Sequence, residues 1–278
     1  MLLFKGDLRL LVLLLVLLTS CGSDDDPGLV TQPFSFEDGF EVSGTDIADL
    51  LPSDGSRCTN IQQVDPQGTS NEMDIVSSPT SEGNNALRIL ARASNSVLSK
   101  IDIEKGGFQA FTGSKVTIRA DFYITTSATL SDLLLIDLEC CSCWDPNVPD
   151  NQCPGIRLQM SNNNDYLSIE RGKISQTTLA QADYSFPRNQ WVNVVWEMTL
   201  SPDNDGLNTL TIDGNEVIST TAMNMPNADV FRNLFGQNNI DFELQQPIFY
   251  ERVQIGATAN PSAGDIEMFV DNFSITVE

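Results

Sequence analysis

Two carboxylates stand two positions apart in the run Ile136-Asp137-Leu138-Glu139, directly before a cluster of cysteines at Cys140, Cys141, Cys143 and Cys153. On an extended chain that spacing puts Asp137 and Glu139 on one face. A pair of carboxylates is the equipment of glycoside hydrolysis, with one group as acid and the other as base or nucleophile. The cysteines suggest disulfides or a thiolate metal site. The chain has no histidine. That excludes Ser-His-Asp and Cys-His catalysis, histidine general bases and histidine-ligated metals. Carboxylate-pair hydrolysis and tyrosine-based lyase chemistry stay open.

The elements that must hold these residues are strands. Lys115 to Thr125 alternates, with Val116, Ile118, Ala120, Phe122 and Ile124 on one side and Arg119, Asp121 and Tyr123 on the other. Leu133 to Cys140 is a more apolar run. Ile156 to Met160 alternates with Arg157 and Gln159 on its polar side, and Tyr166 to Glu170 follows a turn-forming Asn/Asp cluster. Further strands are expected at Trp191–Leu200, Leu207–Ile212, Glu216–Ser219, Arg252–Ala257 and Ile266–Val277, with one short helix within Ala228–Leu234. If the strands carrying Arg119, Tyr123, Asp137, Glu139, Arg157 and Gln159 are neighbours, these side chains line one concave sheet surface. Planar polar side chains of this kind bind sugar hydroxyls, and an aromatic ring covers the apolar face of a pyranose. Trp196 shares parity with Val192 and Val194 and reads as core; Trp191 reads as packing. Trp144, in the cysteine-rich loop, reads either as an exposed sugar platform or as a ring packed over disulfides. The binding-site expectation includes it.

Asn189-Gln190-Trp191-Val192-Asn193-Val194, followed by Leu210-Thr211-Ile212-Asp213-Gly214-Asn215, resembles the laminin-G-like and concanavalin-A-like jelly rolls. Arg252-Val253-Gln254-Ile255-Gly256 and Val270-Asp271-Asn272-Phe273 resemble the last strands of that family. The resemblance spans Phe34 to Glu278. It implies an all-β fold, a two-sheet antiparallel jelly-roll sandwich. Retaining hydrolases of this fold carry E-x-D-x-E on one strand. Here the first position is Leu135, which cannot attack an anomeric carbon. The resemblance also implies a structural calcium between the first and last strands, at Glu37, Asp38 and Asp271, since calcium takes oxygen ligands.

The chain opens with Lys5 and Arg9 before an apolar run, Leu10 to Leu18, and then Leu18-Thr19-Ser20-Cys21. The run is too short to span a bilayer, which takes about 20 residues. It resembles a lipoprotein signal, with residues 1–20 removed and Cys21 lipidated. Gly22-Ser23-Asp24-Asp25-Asp26 resembles an export signal for the outer face of the outer membrane, and residues 21–33 read as an acidic flexible tether. Residues 34–278 are then one domain. Removing the leader leaves 13 basic and 37 acidic residues, a net charge near −24. Such a charge argues against nucleic acid as a partner. Cys58, Cys140, Cys141, Cys143 and Cys153 remain after lipidation. Two disulfides and one unpaired thiol are expected, with four-thiolate zinc as the alternative. The function expected is a lipid-anchored, outward-facing protein that binds a polysaccharide. The alternatives are a polysaccharide lyase or glycoside hydrolase of the same fold, and an adhesion or structural lipoprotein.

Overall fold

The computed structural model describes residues 31–42, 46–94, 98–125, 130, 132–149, 153–161, 164–172, 176–260 and 264–278. The leader, Cys21 and most of the acidic tether lie outside the described residues. Two antiparallel sheets face each other. The first runs β13 (Asn215–Thr221), β12 (Leu207–Ile212), β11 (Trp191–Thr199), β6 (Lys115–Ile124), β15 (Ile266–Val277), β4 (Ala86–Ala91), β3 (Glu72–Val76), and β1 (Phe34–Asp38) also pairs with β15. The second runs β10 (Thr177–Ser185), β9 (Tyr166–Gly172), β8 (Gly155–Ser161), β7 (Leu133–Glu139), β14 (Tyr250–Asn260), β5 (Ser99–Ala110), β2 (Asn60–Val64). One helix, α1 (Ala228–Gly236), is capped by the Asn227 side chain, which accepts from the Val230 N–H. Among the described residues no helix is long and apolar enough to cross a membrane.

Period-two alternation decides which side of each strand meets the other sheet. On β6, Val116, Ile118, Ala120, Phe122 and Ile124 are fully buried. Their partners across the ladder, Val194 for Ala120 and Trp196 for Ile118, point the same way and are also fully buried. The second sheet answers with Ile136, Leu138, Ile156, Leu158, Ile169, Val253, Ile255, Ile101 and Ile103. Both inner faces are therefore apolar, and both outer faces carry the polar half of each strand.

The strands expected between residues 115 and 277 form where the alternation put them, within a few residues at each end. The five strands from Phe34 to Ala110 and β10 went unread. β2 lies at a sheet edge and buries no side chain fully, and its sequence, NIQQV, alternates poorly.

Trp196 is the largest fully buried side chain. Trp196→Ala should destabilise the protein by about 3–5 kcal/mol, measured as a lowered denaturant midpoint with unchanged m-value. A loss below 1 kcal/mol would show that the ring does not hold the two sheets together.

Candidate functional site

Strand register aligns one row of polar side chains across the whole outer face of the second sheet. From edge to edge it reads Asn60, Glu104, Gln254, Asp137, Arg157, Glu170 and Thr178, each opposite the next in the ladder. A neighbouring row places Arg252 opposite Glu139, and Glu139 opposite Gly155, which faces Gly172. On the other side stand Gln62 opposite Asp102, and Gln159 opposite Ser168 and then Gln181.

The central part of this face is buried, so its charges must be compensated. Arg157 Nε donates to Asp137 Oδ2 at 2.9 Å. Arg252 donates to Glu139 Oε2 from Nε at 2.9 Å and from Nη2 at 2.7 Å, and its Nη1 lies 3.3 Å from Glu104 Oε2. Gln254 Nε2 donates to the same Glu139 oxygen at 2.8 Å, and its carbonyl accepts from Lys100 Nζ at 2.8 Å. Lys100 Nζ also lies 3.3 Å from Asp102.

Two glycines make room for these pairs. A Cβ on Gly155 would come within 2.8 Å of Asp137 Oδ1, and one on Gly172 within 2.8 Å of Arg157 Nη1. Gly256, opposite Asp102, has φ +133, and a side chain there would meet Ile89 at 2.8 Å.

Asp102 is fully buried, and neither of its oxygens has a hydrogen-bond partner. Burial, with Glu139 and Asp137 adding to it and Lys100 opposing, pushes its pKa up to about 8. Burial therefore favours its protonated form in the neutral range. Burial works against the charge of Arg252, but Glu139 and Glu104 outweigh it and raise that pKa. Arg157 Nη2 is likewise buried without a hydrogen-bond partner. Gln159 is almost wholly buried, whereas Tyr166, opposite Ser161 on the same face, is half-exposed.

The structure brings together four of the expected site residues: Asp137, Glu139, Arg157 and Gln159. Arg119 and Tyr123 are not among them. They lie on β6, in the other sheet, and point away from the sandwich: Arg119 is exposed, and Tyr123 packs edge-on against Trp191 and Phe269. Alternation fixes a residue's side within a strand, but it does not say which sheet the strand joins. Trp144 is also corrected. It is 6% exposed and packs against Phe235 and Phe242, with its ring N–H donating to the Val148 carbonyl at 2.9 Å. A ring so enclosed offers no stacking surface.

Of the expected calcium residues, Glu37 and Asp38 line one surface pocket together with Arg57 and Asn272, and Asp271 is fully buried. Asp38 points inward, where it accepts the Phe40 N–H and is paired with Arg57. Glu37 is exposed on the outer side, and Asp271 accepts the backbone N–H groups of Ser81, Glu82 and Asn272. A carboxylate already held by a guanidinium is a poor calcium ligand, so Asp38, as paired with Arg57, does not fit the ion. Cys140 is bonded to Cys143 and Cys141 to Cys153, leaving Cys58 as the free thiol among the described residues. Burial pushes the Cys58 pKa up to about 12, so it is unreactive at neutral pH. Leu135, at the register shift of β7, is fully buried.

Lys100, Asp102, Glu104, Arg252 and Gln254 were missed as site residues. Their signal was present, since Ile101-Asp102-Ile103-Glu104 and Arg252-Val253-Gln254-Ile255 both alternate.

No family model matches this sequence, and no curated protein does. Solved structures do match. The cellulose induced protein Cip1 superposes with a TM-score of 0.53 at 15% identity, over 86% of this chain and 96% of its own. An endo-β-1,4-glucuronan lyase from Trichoderma reesei gives 0.54 at 12% identity, covering 78% and 94%. The PL-14 alginate lyase of Aplysia kurodai gives 0.51 at 15%, covering 87% and 97%. The fold is a concanavalin-A-like jelly roll. At these identities the likeness concerns the fold alone.

The buried Asp102 gives the jelly roll a testable pH dependence. A carboxyl whose folded pKa is raised holds its proton in the folded state after the unfolded chain has lost it. Its cost to stability therefore grows from about pH 4 to about pH 8. Asp102→Asn should gain stability relative to the parent protein as pH rises from 5 to 8, read from urea midpoints. A gap that does not change with pH would show Asp102 ionised throughout.

Proposed function

We propose that this chain is a lipid-anchored protein of the outer membrane that binds a neutral polysaccharide through the outer face of its second sheet. The observation that carries this reading is the polar row with its imperfectly satisfied atoms. Arg157 Nη2 and both Asp102 oxygens lack hydrogen-bond partners, and buried polar atoms are normally paired. Tyr166, Lys100, Gln62 and Arg252, each partly exposed, stand on the same face. Amide, guanidinium and carboxyl groups suit sugar hydroxyls, and Tyr166 supplies the apolar contact first sought at Trp144.

Charge favours a neutral glycan. The guanidinium groups of this face are each engaged with an acid, Arg157 with Asp137 and Arg252 with Glu139 and Glu104, and the Lys100 amine donates to the Gln254 carbonyl. An acidic polymer would have to displace a carboxylate to gain a partner, on a chain of net charge −23.

The same engagement disfavours hydrolysis, because Asp137 and Glu139 are both held by guanidinium groups and the first motif position is Leu135. A lyase is the second reading, favoured by the half-buried Lys100 amine beside the row and by the names of two fold neighbours. The two readings separate in one assay. Incubation with neutral glucans and with uronate polymers should yield retention of a neutral glycan and no unsaturated products. Tyr166→Ala and Gln159→Ala should each weaken binding about tenfold. Unsaturated uronate ends in the ultraviolet spectrum would establish the lyase instead.

The anchor rests on the leader. Cys21→Ala should move the protein from the membrane fraction to the soluble fraction. Unchanged fractionation would reject lipidation at that residue.

A further inference from the structure

The cysteine-rich loop meets the polar face at one place. Cys141 Sγ lies 3.8 Å from Glu139 Oε2, and Arg252 Nη2 lies 3.3 Å from Cys153 Sγ. A carboxylate oxygen of Glu139 and the sulfurs of Cys141 and Cys153 all fall within 4.8 Å of one another. These are metal-ligand types held as a disulfide beside a carboxylate.

Opening the disulfide need not scatter them. The Cys140 N–H donates to the Pro154 carbonyl at 2.8 Å, which ties the two ends of the loop together next to both sulfurs. Glu251 accepts from the N–H groups of Cys141 at 2.9 Å and Ser142 at 2.6 Å. Farther along, the Gln245 N–H donates to the Cys143 carbonyl at 2.8 Å, and Asp145 accepts the Glu243 N–H at 3.0 Å. Trp144 is fixed between Phe235 and Phe242. The loop is thus seated by contacts that do not involve the Cys141–Cys153 bond.

We propose that reduction of the Cys141–Cys153 disulfide creates a zinc-class metal site, with the two thiolates and the Glu139 carboxylate as ligands. Zinc takes sulfur at about 2.3 Å and carboxylate oxygen at about 2.0–2.2 Å in tetrahedral geometry. Ligand atoms in such a site stand less than 4 Å apart, so the group contracts slightly while the two sulfurs part. Three protein ligands leave the fourth position for water. Mixed thiolate and carboxylate donors suit zinc better than magnesium or calcium, which take oxygen alone. Arg252 must release Glu139 to the ion, and its guanidinium already reaches Glu104 at 3.3 Å. The chemistry balances. A phosphine takes up oxygen from water as it reduces the disulfide to two thiols. The ion then binds both sulfurs with release of two protons.

The test uses the purified protein before and after treatment with a water-soluble phosphine, which is then removed. Zinc is added, excess is washed away, and bound metal is measured. Circular dichroism checks the fold in parallel. One zinc per chain is expected after reduction and none before, and cadmium in its place should give a thiolate charge-transfer band. Cys141→Ser should abolish retention, and Glu139→Gln should weaken it about tenfold. The Cys140→Ser/Cys143→Ser double variant should still take one ion. Three results would overturn the proposal: a folded reduced protein that holds no more zinc than the oxidised one, loss of the fold on reduction, or loss of the ion in the double variant with retention in Cys141→Ser.

Discussion

Everything on the outer face of the second sheet depends on one constraint: a carboxylate taken out of water must be neutralised where it stands. Asp137 and Glu139 meet it with guanidinium groups from the adjacent strands, and Asp102 meets it largely by keeping its proton. Removing one partner of such a buried pair costs about 3–5 kcal/mol, far more than the pair itself contributes. The constraint therefore reaches into the backbone. Arg157 can face Asp137 only in the register that β7 and β8 adopt, and it has room only because residue 172 is glycine. A slip of one residue would turn the whole row into the core.

The same logic appears elsewhere in this acidic chain. Asp38, buried near the start of the domain, is held by Arg57, and Asp271 is held by three backbone N–H groups in place of a cation. With 15 basic residues against 38 acidic ones, few cations are left for a partner once the buried acids are served. That scarcity links fold to function. A face whose guanidinium groups are already spoken for can offer hydrogen bonds to hydroxyls, but it has little free positive charge with which to grip a polyanion.

How much of this was legible depended on the kind of information. Parity was legible: Asp137 with Glu139, and Arg157 with Gln159, were placed on the correct face from period two alone. Sheet membership was not. β6 alternates as cleanly as β8, yet it joins the opposite sheet, so Arg119 and Tyr123 were grouped with residues across the sandwich. Trp144 failed for a related reason. Its near neighbours in sequence are cysteine, proline and aspartate, and the phenylalanines that bury it, Phe235 and Phe242, come about ninety residues later. The calcium expectation came from resemblance, and it could not foresee that Arg57 would take Asp38. The partners of Asp137 and Glu139 lay in alternating segments of the sequence, but nothing local showed that β14 and β5 would complete their row.

The two sides of that row, the Glu139 end of its strands and the Gln159 end, differ in how firmly they are held. At the Glu139 end, the side chain bonds Arg252 and Gln254, the Glu251 carboxylate pins the following loop, and Trp144 locks that loop against α1 and the segment around Phe242. Rotamers there have few alternatives, so the contacts are formed before any ligand arrives. At the Gln159 end the pattern reverses. Tyr166 is half-exposed, Ser161 is held through a Gln181 amide that is itself exposed, and Arg157 keeps one donor without a bond. A sugar chain crossing the row would find preorganised charge pairs on one side and adaptable donors with an aromatic ring on the other. On the proposed reading, the rigid side would set where the sugar chain lies, and selectivity among sugars would fall to the side where hydrogen bonds remain to be made.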